Sequence, residues 1–459
     1  MKNHNRIIII NLISSVLIQG ITFLSAPVFS RLLGTANYGV VSMYHTWGEI
    51  FSILFPLQVN ATLHMARARF PLEEQDRYQS AAMSLGMALY LLCAALCLVF
   101  LQPLSRLLKM EPAAIGVLVF FSFGQYCVSF LNAKYSFEFK AGRNFVLSFF
   151  TTVCSIGLSI LLVLNLPAES NYWGRILGEA ATYVVLAFIA CIILFRGGKT
   201  FFQISYWKCA LLLGAPLVFH ALSGTLLAQS DRIMVRMLGT ASEVGIYSLS
   251  SNFSAVLALV FYALHNAWTP FYHELSRTGQ LTEMKKRAKH YFELFTVLAC
   301  GFVLLTNEVY HIFADRSYWE GTGIIFILAA GHYMVFLSSI CVNYELFRQK
   351  TKLVAIGTVT AAVVNIALNW VLIRCAGFYG AAWATALAHG IQFLIHYIAV
   401  KRMGAFPFSA KELLPAAVLF LAVDLFSALT PGLWLPRFAL AAALGLWEGL
   451  RILRRKRIF

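Results

Sequence analysis

Charged residues are scarce in this sequence. Only 12% of its 459 residues are Asp, Glu, Lys or Arg, about half the share that soluble domains carry. Hydrophobic residues make up 59% of the chain. This composition nearly excludes a soluble globular enzyme and indicates a chain that crosses a membrane many times.

Recognisable catalytic and metal-binding patterns are also lacking. The nine cysteines form no C-x-x-C pair and no Cys/His ligand spacing, so neither a disulfide framework nor a zinc site is indicated. No glycine-rich phosphate loop followed by Lys and Ser/Thr is present, so we do not expect ATP hydrolysis. His311 and Asp315 mimic an acyltransferase H-x-x-x-D pattern, but they stand alone at a helix end. The sequence therefore predicts a protein that is not an enzyme and that holds no metal or cofactor.

Long apolar segments dominate what is present. A membrane-spanning helix needs about 20 apolar residues, and fourteen segments meet that length. They cover residues 7–29, 38–60, 80–101, 112–133, 144–166, 172–195, 209–230, 245–268, 291–313, 323–345, 353–373, 377–399, 413–430 and 435–452. The polar connections between them are short, which argues against a membrane-embedded transferase because such an enzyme needs a substantial loop region.

The basic residues reveal the orientation of these segments. The formal net charge is +16, and 27 of the 36 Lys and Arg residues fall in the two terminal segments and in every second connection. An excess of Lys and Arg marks the cytoplasmic side of a membrane protein. The charge therefore predicts topology and no nucleic-acid partner. Both termini are predicted to be cytoplasmic.

One sequence motif occurs twice. Residues 31–42 (RLLGTANYGVVS) align with residues 236–248 (RMLGTASEVGIYS) after one inserted residue, and each copy lies between the first and second spans of a set of six. Parallel repeats of this kind build transporters around a central cavity. We predict an all-α integral membrane protein of about fourteen transmembrane helices. Residues 1–200 and 201–405 form two parallel six-helix lobes around a central cavity, and residues 406–459 form two additional spans and a basic tail.

These residues carry a family resemblance. The two repeat copies, the second of which follows Asp231-Arg232, and residues 365–385 resemble the polysaccharide-synthesis transporters. These are the O-antigen and exopolysaccharide repeat-unit flippases of the multidrug/oligosaccharidyl-lipid/polysaccharide exporter superfamily. The resemblance covers essentially the whole chain.

The resemblance implies a function. Such a protein flips an undecaprenyl-diphosphate-linked oligosaccharide from the inner to the outer leaflet of the bacterial cytoplasmic membrane by alternating access. Its partners would be that lipid-linked oligosaccharide, membrane lipids and, as candidates, a polysaccharide polymerase and glycosyltransferases. Two alternatives stay open: an ion-coupled multidrug exporter of the same superfamily, and a lipid II flippase. Coupling to an H⁺ or Na⁺ gradient also stays open.

Arginines near the repeats are the first candidates for binding a diphosphate. Arg232 and Arg236 share a helical face, and their planar guanidinium groups suit paired phosphate oxygens. Asp231 is a candidate counter-ion or proton-coupling group, and Arg31 occupies the position equivalent to Arg236 in the other lobe. The alternative interpretation of Arg31, Arg232 and Arg236 is that they anchor helix ends at the lipid headgroups, and Asp231 could instead form a structural salt bridge.

Other polar groups within spans are also candidates for the cavity, because burying them in lipid is costly. Glu49 has no basic residue one turn away on its own helix, so its partner must come from another helix, the substrate or a proton. Arg175 and Glu179 are one turn apart and are predicted to form a structural ion pair, although Arg175 could also contact the cargo. The predicted substrate-binding residues are Arg31, Glu49, Asn60, Arg175, His220, Asp231, Arg232, Arg236 and Asn252.

Overall fold

The computed structural model describes the backbone of residues 2–66, 69–404 and 406–455, without the side chains of residues 2–9, 11–13, 220, 227 and 455. In these ranges the chain contains helices and no strand, which confirms the predicted all-α class. The α-helices are α1 (Lys2–Leu54), α2 (Leu63–Ala66), α3 (Gln75–Val99), α4 (Leu101–Leu108), α5 (Pro112–Phe137), α6 (Ala141–Leu164), α7 (Tyr172–Gly198), α8 (Ile204–Leu238), α9 (Ala241–Arg277), α10 (Leu281–Phe313), α11 (Thr322–Phe347), α12 (Thr351–Met403), α13 (Ala410–Leu429) and α14 (Trp434–Arg455).

Two of these helices are far longer than a bilayer is thick. Helices α1 and α12 each contain 53 residues, or about 80 Å at 1.5 Å per residue, whereas the hydrocarbon core is about 30 Å thick. Each is interrupted by a glycine with positive φ, 67° at Gly34 and 57° at Gly377. Left-handed backbone breaks the helical hydrogen-bond ladder. The two kinks lie in the connections predicted at residues 30–37 and 374–376 or directly beside them.

Eleven helices in the described part of the chain are long and apolar enough to cross a membrane. The long helices α1 and α12 each count once in this set, although each covers two of the predicted spans. Helix α14 is not in the set, and it carries the charged residues Arg437, Glu448 and Arg451. The protein is therefore a multi-pass membrane protein, and the count of fourteen spans stays a prediction.

The first compact unit covers Met1–Gly245 and contains α1 to α8. Helix α7 packs against α5 and α6, and α8 packs against α1 and α3. A buried apolar cluster that includes Phe29, Tyr44, Phe51, Phe121 and Ile176 joins α1, α5 and α7. These contacts hold the second half of α1 beside α7 and α8, where the polar side chains described below meet.

The second compact unit covers Ile246–Phe459. Helix α11 packs against α12, and α10 packs against α13 and α14. The rings of Trp268 and Tyr291 stack at 5.2 Å, and Arg437 of α14 is fully buried against Glu308 of α10. The two helices after residue 406 therefore pack on this unit. The compact units divide after Gly245, and the predicted lobe boundaries stay predictions.

Candidate functional site

The two copies of the repeated motif contact each other within the first unit. The Ser242 hydroxyl donates to Thr35 Oγ1 over 2.7 Å. A Cβ atom at Gly39 would lie 1.8 Å from the Ala241 carbonyl oxygen, and one at Gly245 would lie 2.0 Å from the Thr35 oxygen. Only glycine permits this backbone approach at either position, which explains why both copies contain one.

Glu179 of α7 joins two basic side chains. It forms the predicted ion pair with Arg175 one turn earlier, and its second oxygen lies 2.5 Å from His45 Nε2 of α1. The Arg175 guanidinium also lies 4.0 Å from the centre of the Phe29 ring. Glu179 is buried, and the Arg175 guanidinium compensates its charge. These contacts fix the position of Arg175 beside α1.

Glu49 lies one turn after His45 on α1, and its hydrogen-bond donors come from α8. It accepts hydrogen bonds from Gln229 Nε2 over 3.0 Å and from the Thr225 hydroxyl over 3.3 Å. Within the described residues, no Lys, Arg or His nitrogen lies within 4.0 Å of this carboxylate. The donors are neutral and come from another helix, one of the sources that the sequence left open.

Gln229 links Glu49 to Arg232. Its amide nitrogen faces Glu49, and its amide oxygen accepts from Arg232 over 2.9 Å and from the Thr46 hydroxyl over 3.3 Å. The amide thus separates a carboxylate from a guanidinium and orients both. We call this set the polar cluster. It consists of His45, Thr46, Glu49, Arg175, Glu179, Thr225, Gln229 and Arg232.

The polar cluster carries balanced formal charge. Its two arginines are matched by two glutamates. A neutral cluster that contains guanidinium groups can bind an anion by exchanging partners, since phosphate oxygens accept the same N–H groups that carboxylate or amide oxygens accept. Asp231, the residue before Arg232 on α8, is buried.

The hydrogen bonds of Arg236 are made to the end of α4. Its guanidinium donates to the Lys109 carbonyl oxygen over 3.0 Å, and Lys109 Nζ donates to the Met237 carbonyl oxygen over 2.9 Å. This reciprocal pair fastens the end of α8 to the turn between α4 and α5. The contacts match the helix-end role that the sequence analysis gave as the alternative for Arg236.

Four other predicted residues remain to be placed. Asn60 donates to the Ser129 hydroxyl over 2.9 Å, and Arg31 is exposed on α1. Asn252 is exposed on α9 in the second unit. The side chain of His220 lies outside the described part of the structure. Of the predicted set, the structure links Glu49 to Arg232 through Gln229, and it links Arg175 to His45 of α1 through Glu179. Their role in binding stays a prediction.

Sequence reasoning missed His45. Its signal was its spacing, since His45 and Glu49 are four residues apart and share a face of α1. Gln229 was noted only as a polar residue near a span, and its position three residues before Arg232 gave the corresponding signal. In the described ranges no group of three or more His, Cys, Asp or Glu side chains could hold a metal ion.

Comparison with known proteins gives consistent results. A family model described as "Polysaccharide biosynthesis protein" matches residues 6–276. An Lsg locus protein of Haemophilus influenzae is 24% identical over 361 residues, which covers 76% of this chain and 86% of that protein. A Haloferax volcanii protein named "Probable low-salt glycan biosynthesis flippase Agl15" is 22% identical, covering 84% of this chain and 80% of its own length.

Two solved structures share the fold. A structure titled "Lipid II flippase MurJ, inward closed conformation" has a TM-score of 0.73 and 16% identity, and the match covers 98% of this chain and all of that one. An inward-facing multidrug resistance MATE family transporter has a TM-score of 0.66 and 12% identity, covering 87% of this chain and 98% of its own. At these identities the likeness shows the fold alone.

Proposed function

The chain belongs to the polysaccharide biosynthesis protein family, as the resemblance in its sequence predicted, and we propose that it flips a lipid-linked oligosaccharide across the cytoplasmic membrane. The cargo is an undecaprenyl-diphosphate-linked oligosaccharide, and it moves from the inner to the outer leaflet by alternating access. The single observation that carries the proposal is the polar cluster, in which Gln229 orients Arg232 and Glu179 orients a second arginine, Arg175.

The chemistry of the cargo explains these contacts. A diphosphate brings at least two negative charges and several acceptor oxygens into a region of low dielectric, where an unpaired charge costs several kcal/mol. A guanidinium carries five N–H donors in a plane, so a hydrogen bond to Gln229 orients Arg232 while phosphate oxygens can still be bound. The polyprenyl tail stays in the bilayer, and hydroxyl and amide groups of the cluster suit sugar hydroxyls.

The family and one relative support this cargo class. The Haloferax relative is named a flippase of glycan biosynthesis, and it covers most of this chain. From the distribution of Lys and Arg between the connections, we propose that both termini face the cytoplasm. We also propose that glycosyltransferases supply the cargo and that a polysaccharide polymerase consumes it.

The test is a pair of substitutions in cells. Arg232→Ala should abolish surface glycan and cause lipid-linked intermediates to accumulate on the inner leaflet, while the protein remains in the membrane. Arg232→Lys retains the charge but loses the bidentate geometry, so it should restore export only in part. Arg106→Ala is the control, because Arg106 is an exposed arginine of the same unit. Normal export by Arg232→Ala would remove this residue from the mechanism.

The contacts of Glu49 favour a second candidate function, ion-coupled export of small molecules. A carboxylate whose described partners are neutral is suited to take up a proton or a sodium ion. If this function holds, Glu49→Gln should abolish gradient-driven export of a cationic dye, and surface glycan should be unaffected. A lipid II flippase is the runner-up within the first class, and rescue of cells depleted of their lipid II flippase would identify it.

A further inference from the structure

A groove lies in the second unit between α10, α13 and α14. Its volume is about 620 Å³, which is within the about 300–1,000 Å³ typical of small-molecule sites. The wall is apolar along the helices, with Phe292 and Val297 on α10, Leu419 on α13 and Trp447 on α14. Leu419 and Trp447 are 45% and 49% exposed. The groove therefore has an apolar wall that is partly exposed.

Four lysines line the end of this groove where α10 and α13 begin. They are Lys285, Lys286, Lys289 and Lys411. All four lie in the segments that the charge distribution predicts to be cytoplasmic, residues 269–290 and 400–412. Lysines at the edge of a bilayer attract anionic headgroups.

The acidic residues of the groove pair with only one of these four lysines in the described part of the chain. Glu412 pairs with Lys285 over 3.3 Å, and Glu293 pairs with Arg451 over 2.7 Å. Within the described residues no carboxylate oxygen lies within 4.0 Å of Lys286, Lys289 or Lys411. Three ammonium groups thus converge on one end of an apolar channel without a paired anion.

The first unit provides an internal comparison. Its groove between α5, α6 and α7 is of similar size, about 670 Å³, but its only basic lining residue is Arg143. The basic end is therefore a particular feature of the groove that the last two helices complete.

We propose that this groove binds one anionic phospholipid of the cytoplasmic leaflet. Its phosphate lies among Lys286, Lys289 and Lys411, and one acyl chain runs along Phe292, Leu419 and Trp447. Charge complementarity selects an anionic headgroup, and the apolar wall selects a lipid over a soluble anion. The bound lipid stabilises the packing of α13 and α14 on α10. This site is separate in its residues from the polar cluster and does not depend on which cargo the protein flips.

The test uses the full chain, purified in detergent and stripped of lipid. Phosphatidylglycerol should bind and raise the thermal unfolding midpoint, whereas phosphatidylcholine and inorganic phosphate should not. The triple variant K286Q/K289Q/K411Q should bind phosphatidylglycerol about a hundredfold more weakly, at about fivefold for each lysine. The matched control K208Q/K350Q/K352Q removes three exposed lysines outside the groove and should bind within about threefold of the unaltered chain.

A second variant tests the channel itself. Ala416→Phe places a ring in the groove and leaves the lysines in place, so it should weaken lipid binding while the unfolding midpoint without lipid is retained. Equal binding by the two triple variants would overturn the proposal. So would full competition by inorganic phosphate, which would indicate a free-anion site, or preferential displacement by a polyprenyl phosphate, which would indicate a cargo site.

Discussion

Alanine in place of Gly39 is expected to destabilise the protein, because Gly39 lies where the two repeat copies touch. An added Cβ would stand 1.8 Å from the Ala241 carbonyl oxygen, whereas ordinary van der Waals contact begins at 3.4 Å. The two segments must therefore separate by about 1.6 Å, the difference between these distances. That movement also disrupts the 2.7 Å hydrogen bond from Ser242 to Thr35.

Three contributions determine how much stability Gly39→Ala should lose. Overpacking costs about 1–3 kcal/mol, and loss of a hydrogen bond costs about 1 kcal/mol. The higher helix propensity of alanine stabilises the helix by about 1 kcal/mol. The net loss is about 1–3 kcal/mol, measured as a lower thermal unfolding midpoint of the purified protein.

The matched control is Gly157→Ala in α6. A Cβ there would meet no atom within 4 Å, so only the gain in helix propensity remains and the midpoint should stay the same or rise. Gly245→Ala should behave like Gly39→Ala, since its Cβ would lie 2.0 Å from the Thr35 oxygen. Equal midpoints for Gly39→Ala and Gly157→Ala would refute the close contact of the repeats.

Three further predictions concern the polar side chains. Glu179→Gln leaves the Arg175 guanidinium uncompensated and should lower the free energy of unfolding by about 3 kcal/mol. Adding Arg175→Met should recover part of this loss in the same unfolding assay. No recovery would contradict the ion pair. Gln229→Leu removes hydrogen bonds to Glu49 and Arg232, each worth about 1.5–3 kcal/mol, and should lower surface glycan at least tenfold. Thr225→Val removes only the 3.3 Å hydrogen bond to Glu49 and should lower surface glycan less. The reverse order would show that Gln229 does not organise the cluster. Burial opposes ionisation of Glu138, but hydrogen bonds and charge attraction from Lys134 and Lys140 lower its pKa overall. Its stabilising effect is therefore present above the ordinary glutamate pKa of about 4.3 and is lost as pH falls through the lowered pKa. The unfolding midpoints of the unaltered chain and Glu138→Gln should differ at pH 7 and converge only when the pH falls below the ordinary pKa, and a constant difference would exclude this titration.

Features that depend on local spacing could be predicted from the sequence. Arg175 and Glu179 are one helical turn apart, and the structure contains their ion pair. The chain bends at Gly34 and Gly377, in or beside connections that the hydropathy pattern already separated. The repeat predicted that residues near 35 and 240 occupy equivalent positions, and the structure adds that they touch.

Features that depend on tertiary contacts could not be predicted in detail. The sequence required a partner for Glu49 from elsewhere, but nothing in it selected Gln229, which lies 180 residues away. Arg236 has the residue type and spacing of a phosphate ligand, and only the folded chain shows that its guanidinium is bound to the Lys109 carbonyl oxygen. The length of helix α14 predicts a membrane span. Only the folded chain shows that its charged residues pair within the second unit, Arg437 with Glu308 and Arg451 with Glu293.

Direct binding of a diphosphate-bearing lipid to the purified protein is the decisive measurement. A polyprenyl-diphosphate oligosaccharide should bind the unaltered chain and Arg106→Ala equally, Arg232→Lys about tenfold more weakly, and Arg232→Ala at least a hundredfold more weakly. Arg232→Ala that binds this lipid as tightly as the unaltered chain would contradict a guanidinium-lined cargo site.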